Sequence, residues 1–318
     1  MRRAFFGFPA RCAGACVLAG LALLPGRLTA QGNDPSFDPS VSCPAYASGV
    51  GPRLLIDEAH QNLHTMGGRY ASFAAVAAHD GFRVEPSTAS FREAPPPDGA
   101  ILVIANSRGA SDPAESAFAP EEIARLRAWV ESGGSLLLIT DHKPFGTAAR
   151  ALAALFGIEM SDGHVRDEAH AARELPGPYF LEFTRANGLL GDHPILRGRG
   201  AHEAISRVVT FGGQALRTSQ DLATLLRLGP AAEAVADPDQ AASAVEPVGG
   251  WSQAVALEIG KGRLVVVGEA GMFGAQFIEG EAARRAGLPG ELRFGMNHPG
   301  TDDRQFLLNT LHWLARLL

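Results

Sequence analysis

Cysteine is nearly missing from this chain: 318 residues hold three, Cys12, Cys16 and Cys43. The first two fall inside an N-terminal apolar stretch, and Cys43 sits in a polar, Pro/Ser-rich segment with nothing beside it to lower its pKa. One thiol outside the leader cannot close an internal disulfide. With no cysteine after residue 43, a thiol nucleophile and a thiolate-bound zinc or cluster are excluded from the body of the chain. Positive charge is also scarce, with 28 Lys and Arg against 34 Asp and Glu, and there is no basic stripe. Non-specific binding to a phosphate backbone is therefore disfavoured, and no nucleic-acid partner is expected. Long apolar runs are lacking too. The best, residues 13–24, is well short of the ~20 residues a membrane-spanning helix needs.

That run is read as part of a secretory leader. Arg2, Arg3 and Arg11 precede it, and Leu28, Thr29 and Ala30 form a small-residue cleavage pattern before Gln31. Residues 1–30 are thus expected to be a signal peptide, and the mature protein to be periplasmic or secreted with no transmembrane segment. Arg2-Arg3 followed by Ala4 and Phe5 also resembles a twin-arginine signal. A lipid anchor is disfavoured, because Ala13 stands where an aliphatic residue would precede Cys16. Removing Arg2, Arg3, Arg11 and Arg27 leaves 24 basic against 34 acidic residues, a net of −10 with histidine neutral.

After the leader, residues 31–52 are rich in Gly, Pro, Ser and Asp and read as a disordered lead-in. Residues 53–318 read as one α/β domain. An apolar strand at 53–56 ends in Asp57, Glu58, Ala59 and His60, followed by His64 and a helix over 69–79. Strands at 82–85 and 100–105 come next, then a helix over 120–131 opened by Pro120, Glu121 and Glu122. The order strand, helix, strand, strand, helix, strand, helix predicts a mostly parallel, doubly wound sheet. Residues 159–175 read as a loop or edge hairpin, 229–250 as a mobile loop, and 254–267 as a C-terminal hairpin turning at Gly260-Lys261-Gly262. Asp302 is placed to cap a last helix containing Phe306, Leu307, Leu311, Trp313 and Leu314.

The most informative stretch is 133–157, GGSLLLITDHKPFGTAARALAALFG. A short apolar run over 135–140 reads as a strand buried on both faces, and helical spacing begins at Thr147. Asp141 and His142 fall between them, just past the carboxyl end of the strand. In open parallel sheets ligands bind there.

Four strings, LLIDEAHQNLHTMGGRY, GGSLLLITDHKPFGTAARALA, GEAGMFGAQ and GMNHPGTDDRQFLLNTLHWL, resemble the class I glutamine amidotransferase-like superfamily. The resemblance is to its secreted domains of unknown function, related to auxiliary domains of gliding-motility transporters. The GG-strand-His turn and His193-Pro194-Ile195 are similar to trehalose-utilisation-type proteins as well. The resemblance implies a flavodoxin-like three-layer sandwich. Working amidotransferases of that superfamily carry a cysteine on the strand-to-helix elbow, helped by a histidine and a glutamate after a later strand. Here the elbow holds Asp141 and His142, and the later strand ends in Glu269 with no histidine beside it, so glutamine hydrolysis through a thioester cannot operate.

What is left is a polar set at strand ends. His142, Glu269, Asp141, Glu58 and His60 are the candidate catalytic residues, with Asp57, Asn106 and Asn297 as further pocket residues. His60, His64 and His142 could supply a divalent metal such as zinc with imidazole ligands. Without metal, Glu269 or Asp141 could orient His142 as a general base. Hydrolysis of a small polar or glycan-like substrate suits either arrangement. The alternative is a non-catalytic module that binds a ligand or an envelope protein, since fold does not imply function. His79, His202 and His312 read as surface residues, Asp302 and Asp303 as helix-start charges, and His193 as a turn residue.

Overall fold

The computed structural model describes residues 31–109, 116–218, 224–278 and 290–318, so the expected signal peptide lies outside the described residues. The chain opens with β1 (Gln31–Asn33), β2 (Arg53–Asp57), α1 (Ala71–His79), β3 (Arg83–Ser87), β4 (Ile101–Ala105), α2 (Pro120–Ser132), β5 (Ser135–Ile139) and α3 (Phe145–Leu155). β4 and β5 are buried at every position, which is what continuous apolar runs flanked by polar turns imply. Pro120 starts α2 at a position where its missing N–H costs nothing, and Glu121 and Glu122 meet the positive end of the helix dipole. α3 begins at Phe145, two residues before the apolar spacing becomes helical.

Shorter elements follow: β6 (Ile158–Met160), β7 (His164–Arg166), β8 (Phe180–Thr184), α4 (Pro194–Arg197), β9 (Arg207–Phe211), β10 (Leu216–Thr218), β11 (Thr224–Arg227), β12 (Glu233–Val235) and β13 (Val245–Pro247). The chain then forms β14 (Ser252–Ile259), β15 (Gly262–Val267), β16 (Ala275–Ile278), β17 (Leu292–Gly295) and α5 (Asp303–Leu314). β14 and β15 make the expected hairpin, with Ile259 opposite Gly262 across the turn.

The main sheet has nine strands, in the order β3-β2-β4-β5-β15-β14-β10-β6, with β11 also paired to β14. β3, β2, β4, β5 and β15 run parallel, and the pairings beyond β15 are antiparallel. Numbered by appearance, the parallel strands lie 2-1-3-4-5, one of the two common doubly wound orders.

Each strand of this half feeds two cores, because successive side chains point to opposite faces. Leu54, Ile56, Val103, Leu137 and Val265 meet Phe73 and Val76 of α1 and Phe306 and Leu311 of α5 on one side. Leu55, Leu102, Leu136 and Val266 meet Leu126 and Trp129 of α2 and Leu152 of α3 on the other. Helices therefore cover both faces of the parallel half.

Two segments differ from the expectation drawn from composition. Residues 31–52, read as a disordered lead-in, are placed on the domain: β1 pairs with β16, and Phe37, Val41 and Tyr46 pack against the core. Asp34 anchors this segment by accepting from Ser36, from Arg293 Nε at 3.0 Å and from Asn297 Nδ2 at 2.9 Å. Burial alone would raise its pKa, yet the bonds from Ser36, Asn297 and Arg293 bring it down to about 2. Residues 229–250, read as a mobile loop, hold β12 and β13, and β12 pairs in turn with β7. Short-range composition does not register such pairings, because the partners are far away in sequence. Asp302 also departs from its expected role. Its carboxylate makes no cap bond to α5 and accepts instead from the Ser206 and Arg207 backbone, pinning the start of β9.

Candidate strand-end site

β4, β5 and β15 finish level with one another: Ala105 lies opposite Ile139, and Ile139 opposite Val267. The residues just beyond, Asn106, Asp141 and Glu269, are therefore neighbours in one row. Asn106 sits at φ +49°, a left-handed conformation in which asparagine is enriched, and its side chain bonds Asp141. Asp141 Oδ1 accepts the His142 backbone N–H at 2.8 Å. Glu269 is 2% exposed, and its two oxygens accept from Gly271 N at 2.5 Å and Met272 N at 2.8 Å.

The row is short of solvation. Burial and the neighbouring Asp141 push Glu269 up to about 8, against the pull of its backbone donors. Burial raises Asp141 as well, opposed by His142 and by the bonds it accepts. Asp303, expected as a helix-start charge, is a fully buried acid held well above the carboxylate range by burial and by Glu269. Gly213, at φ +83°, lies against this row. A Cβ there would stand 2.4 Å from Gly268 O and 2.7 Å from Glu269 Cβ, so the Gly212-Gly213-Gln214 turn closes over Glu269 only with glycine in place.

His142 lies on the outer side of this row. Its Nδ1 is 2.9 Å from Lys143 O, which makes that nitrogen the N–H donor, and its Nε2 is 3.6 Å from Asp141 Oδ1. The ring stacks on His164, with centroids 3.6 Å apart. Burial and His142 lower His164 to about 3, so it stays neutral beside its partner. His164 lies in the stretch 159–175, expected as a loop or edge hairpin, and is not among the site residues expected from sequence. Its pairing with His142 depends on β7 folding back across the sheet end.

The residues after β2 go elsewhere. His60 is clamped between Asp57, whose carboxylate oxygens are 3.0 and 2.9 Å from Nδ1, and Glu122 of α2, 3.2 Å from Nε2. Phe91 and Phe118 flank its ring. Burial opposes the charged ring, but the two carboxylates win and raise its pKa. His64 is 4% exposed and packs on Tyr70 at 4.6 Å, and burial with Arg69 and Arg108 lowers it to about 3. Glu58 accepts the Met66 backbone N–H and braces its own loop. Asn297 belongs to the Asp34 anchor, with further donation to Gln276 O. Among the other histidines, His79 and His202 are exposed, whereas His312 is buried and bonded to Asp80 at 2.7 Å, because α5 turns that face inward. His193 caps α4 through Nδ1, as a turn residue would.

Of the expected site residues, the fold thus joins Asn106, Asp141, His142 and Glu269, while the side chains of Asp57, Glu58, His60, His64 and Asn297 are engaged with other partners, although the backbone at His60 and Leu63 is bonded to Arg108 and Asn106. The imidazoles considered for a metal do not converge: both ring nitrogens of His60 face carboxylates, and His142 is stacked on His164. Among the described residues, no group of three or more His, Cys, Asp or Glu side chains is arranged to hold a metal ion.

Residues 70–282 match the family described as "Domain of unknown function (DUF4350)". No curated protein matches the chain. Among solved structures, the mmIFT52 N-terminal domain resembles it with a TM-score of 0.56 at 15% identity, covering 82% of this chain and 97% of that one. A ThuA-like protein from Bacteroides uniformis has a TM-score of 0.39 at 12% identity, covering 85% and 93%. One from Parabacteroides merdae has a TM-score of 0.41 at 11% identity, covering 83% and 89%. The likeness to the first is one of fold.

Two measurements follow from this geometry. His60→Ala leaves two buried carboxylates facing each other with no cation between them, and should cost about 3–5 kcal/mol in urea unfolding; a loss below ~1 kcal/mol would contradict the clamp. The pH profile should have a falling arm. Glu269 holds its proton up to about 8 when folded but ordinarily releases it at 4.5, so its contribution is full below pH 4.5 and is lost as pH rises to 8. His64 and His164, lowered from 6.5 to about 3, act in the opposite sense and cost stability only below pH 6.5. Melting temperature should therefore fall between pH 6.5 and 8, and because His60, Asp141 and Asp303 are raised too and act in the same sense, Glu269→Gln should make that arm shallower without removing it.

Proposed function

Taking as premise that this chain belongs to the DUF4350 domain family, we propose that it is an exported module which binds a small polar ligand at the carboxyl end of its parallel sheet. The observation that carries this reading is the division between satisfied and open groups. Glu269 has its oxygens occupied by backbone donors, and the two ring nitrogens of His60 are occupied by Asp57 and Glu122. The partly exposed His142–His164 stack is what a ligand can meet, and Asn106 Oδ1 and Ser107 Oγ are buried just past the end of β4 with no partner among the described residues. The 2-1-3-4-5 strand order supports a flavodoxin-like three-layer arrangement, and the Asp141-His142 turn is consistent with the elbow of the amidotransferase-like superfamily. Export would proceed through cleavage after Ala30, and an envelope protein is the alternative occupant of the site.

A second reading, hydrolysis, has one observation in its favour. A carboxyl group that keeps its proton to about pH 8 beside a second carboxylate is an acid–base pair with separated roles. Thermal-shift titration with neutral monosaccharides, disaccharides and amino acids, run beside nitrophenyl ester and glycoside assays, separates the two. Saturable stabilisation without turnover, weakened at least tenfold by His142→Ala, is expected. Turnover abolished by Asp141→Asn and Glu269→Gln would replace binding by hydrolysis, and neither binding nor turnover would sink both. N-terminal sequencing of protein exported from an expressing cell should begin at Gln31; retention of the leader would refute export.

A further inference from the structure

The parallel order reverses at β2, which has β3 on one side and β4 on the other. Loops that leave the carboxyl ends of β2 and β4 at such a switch point diverge and form a crevice. The loop after β2 carries His64 and Arg69, and the loop after β4 carries Asn106, Ser107 and Arg108. Backbone bonds tie the two loops together, from Leu63 N to Asn106 O at 2.9 Å and from Arg108 N to His60 O at 3.1 Å.

Arg69 and Arg108 lie on these two loops in an acidic chain of net charge −6. Arg53, Arg166, Arg199, Arg207 and Arg293 each hold a carboxylate. Among the described residues, neither Arg69 nor Arg108 has one. Arg108 lies 5.3 Å above the Phe145 ring, at the start of α3 and next to the His142 ring. Arg69 is half-buried, and burial together with the charge of Arg108 lowers its pKa. Burial and the charges of both arginines lower His64 to about 3, so it stays neutral and does not add to their repulsion.

Unpartnered polar atoms occur in the same two loops. His64 Nδ1, Asn106 Oδ1 and Ser107 Oγ belong to residues 4%, 1% and 1% exposed, and none has a hydrogen-bond partner among the described residues. Like charges held together and polar atoms left unpaired are both unfavourable, and one occupant relieves both. Guanidiniums present forked donors that match carboxylate and phosphate oxygens. Asn106 Oδ1 is an acceptor and needs a donor, which a hydroxyl supplies.

We propose that Arg69 and Arg108 form the anion-binding end of the strand-end site, which takes a small hydroxyl-bearing molecule with a carboxylate or phosphate group, its hydroxyls meeting Asn106 and Ser107. The proposal rests on the binding reading above and names its ligand class. Glu269, pushed up to about 8, keeps its proton at neutral pH and does not repel such an anion.

Isothermal titration with citrate and with inorganic phosphate, at ionic strength fixed with chloride, tests it. At least one probe should bind saturably, and the one that binds identifies the headgroup. Arg108→Gln, an exposed substitution that leaves the core intact, should weaken binding at least tenfold. Arg69→Lys, which keeps the charge but loses the fork, should weaken it less, and the Arg69→Gln/Arg108→Gln double variant should abolish it. No saturable binding of either probe, or binding undiminished in Arg108→Gln, overturns the proposal. Neutral ligands that still bind and depend on His142 would, in that event, leave the binding reading standing.

Discussion

The level ends of β4, β5 and β15 are the constraint from which the rest of the site follows. Because Ala105, Ile139 and Val267 share one register, Asp141 and Glu269, each two residues past its strand, leave the sheet side by side, with Asn106 one residue past β4 beside Asp141. Asp141 and Glu269 are brought together where α1 and α5 cover one face and α2 and α3 the other, so neither carboxylate is well hydrated. Two carboxyl groups under those conditions cannot both ionise freely, and Glu269 retains its proton. Asp303 extends the same pattern from the start of α5.

The surroundings of this row are built to hold it. Gly213 allows a backbone turn to press on Glu269, Tyr70 donates from just before α1 to the Ala270 carbonyl at 2.9 Å, and Asn106 adopts a left-handed conformation beside Asp141. The inner groups are thus committed to structure. Outside them lie the partly exposed His142–His164 stack and Arg108 over the Phe145 ring, which are not. A site arranged this way has a rigid floor and an open polar rim, and the placing of open groups on loops carried by rigid strands is how α/β sheets commonly bind small molecules.

The histidines after β2 show how a motif can be visible and its role hidden. Asp57, His60 and His64 stand at a strand end, where ligands are sought, and their spacing permits a metal reading. What decides their role is Glu122, 62 residues from His60, which closes the second side of the imidazole. Nothing near His60 in the chain announces that partner. Asp34 and Asn297 are a similar case, joined across 263 residues, and their bond turns a Pro/Ser-rich segment into an ordered part of the domain.

Apolar periodicity, turn residues and the absence of cysteine after residue 43 were enough to determine the strand and helix order of residues 53–157, the C-terminal hairpin, and the exclusion of thiol chemistry from the body of the chain. They also located Asp141, His142 and Glu269 at strand ends. Which strand ends meet, which acids are buried together, and which histidine faces which partner were decided by the tertiary structure alone. Pairings such as His142 with His164 or His312 with Asp80 depend on segments folding back over the sheet, and pKa shifts arise from burial that no local pattern encodes.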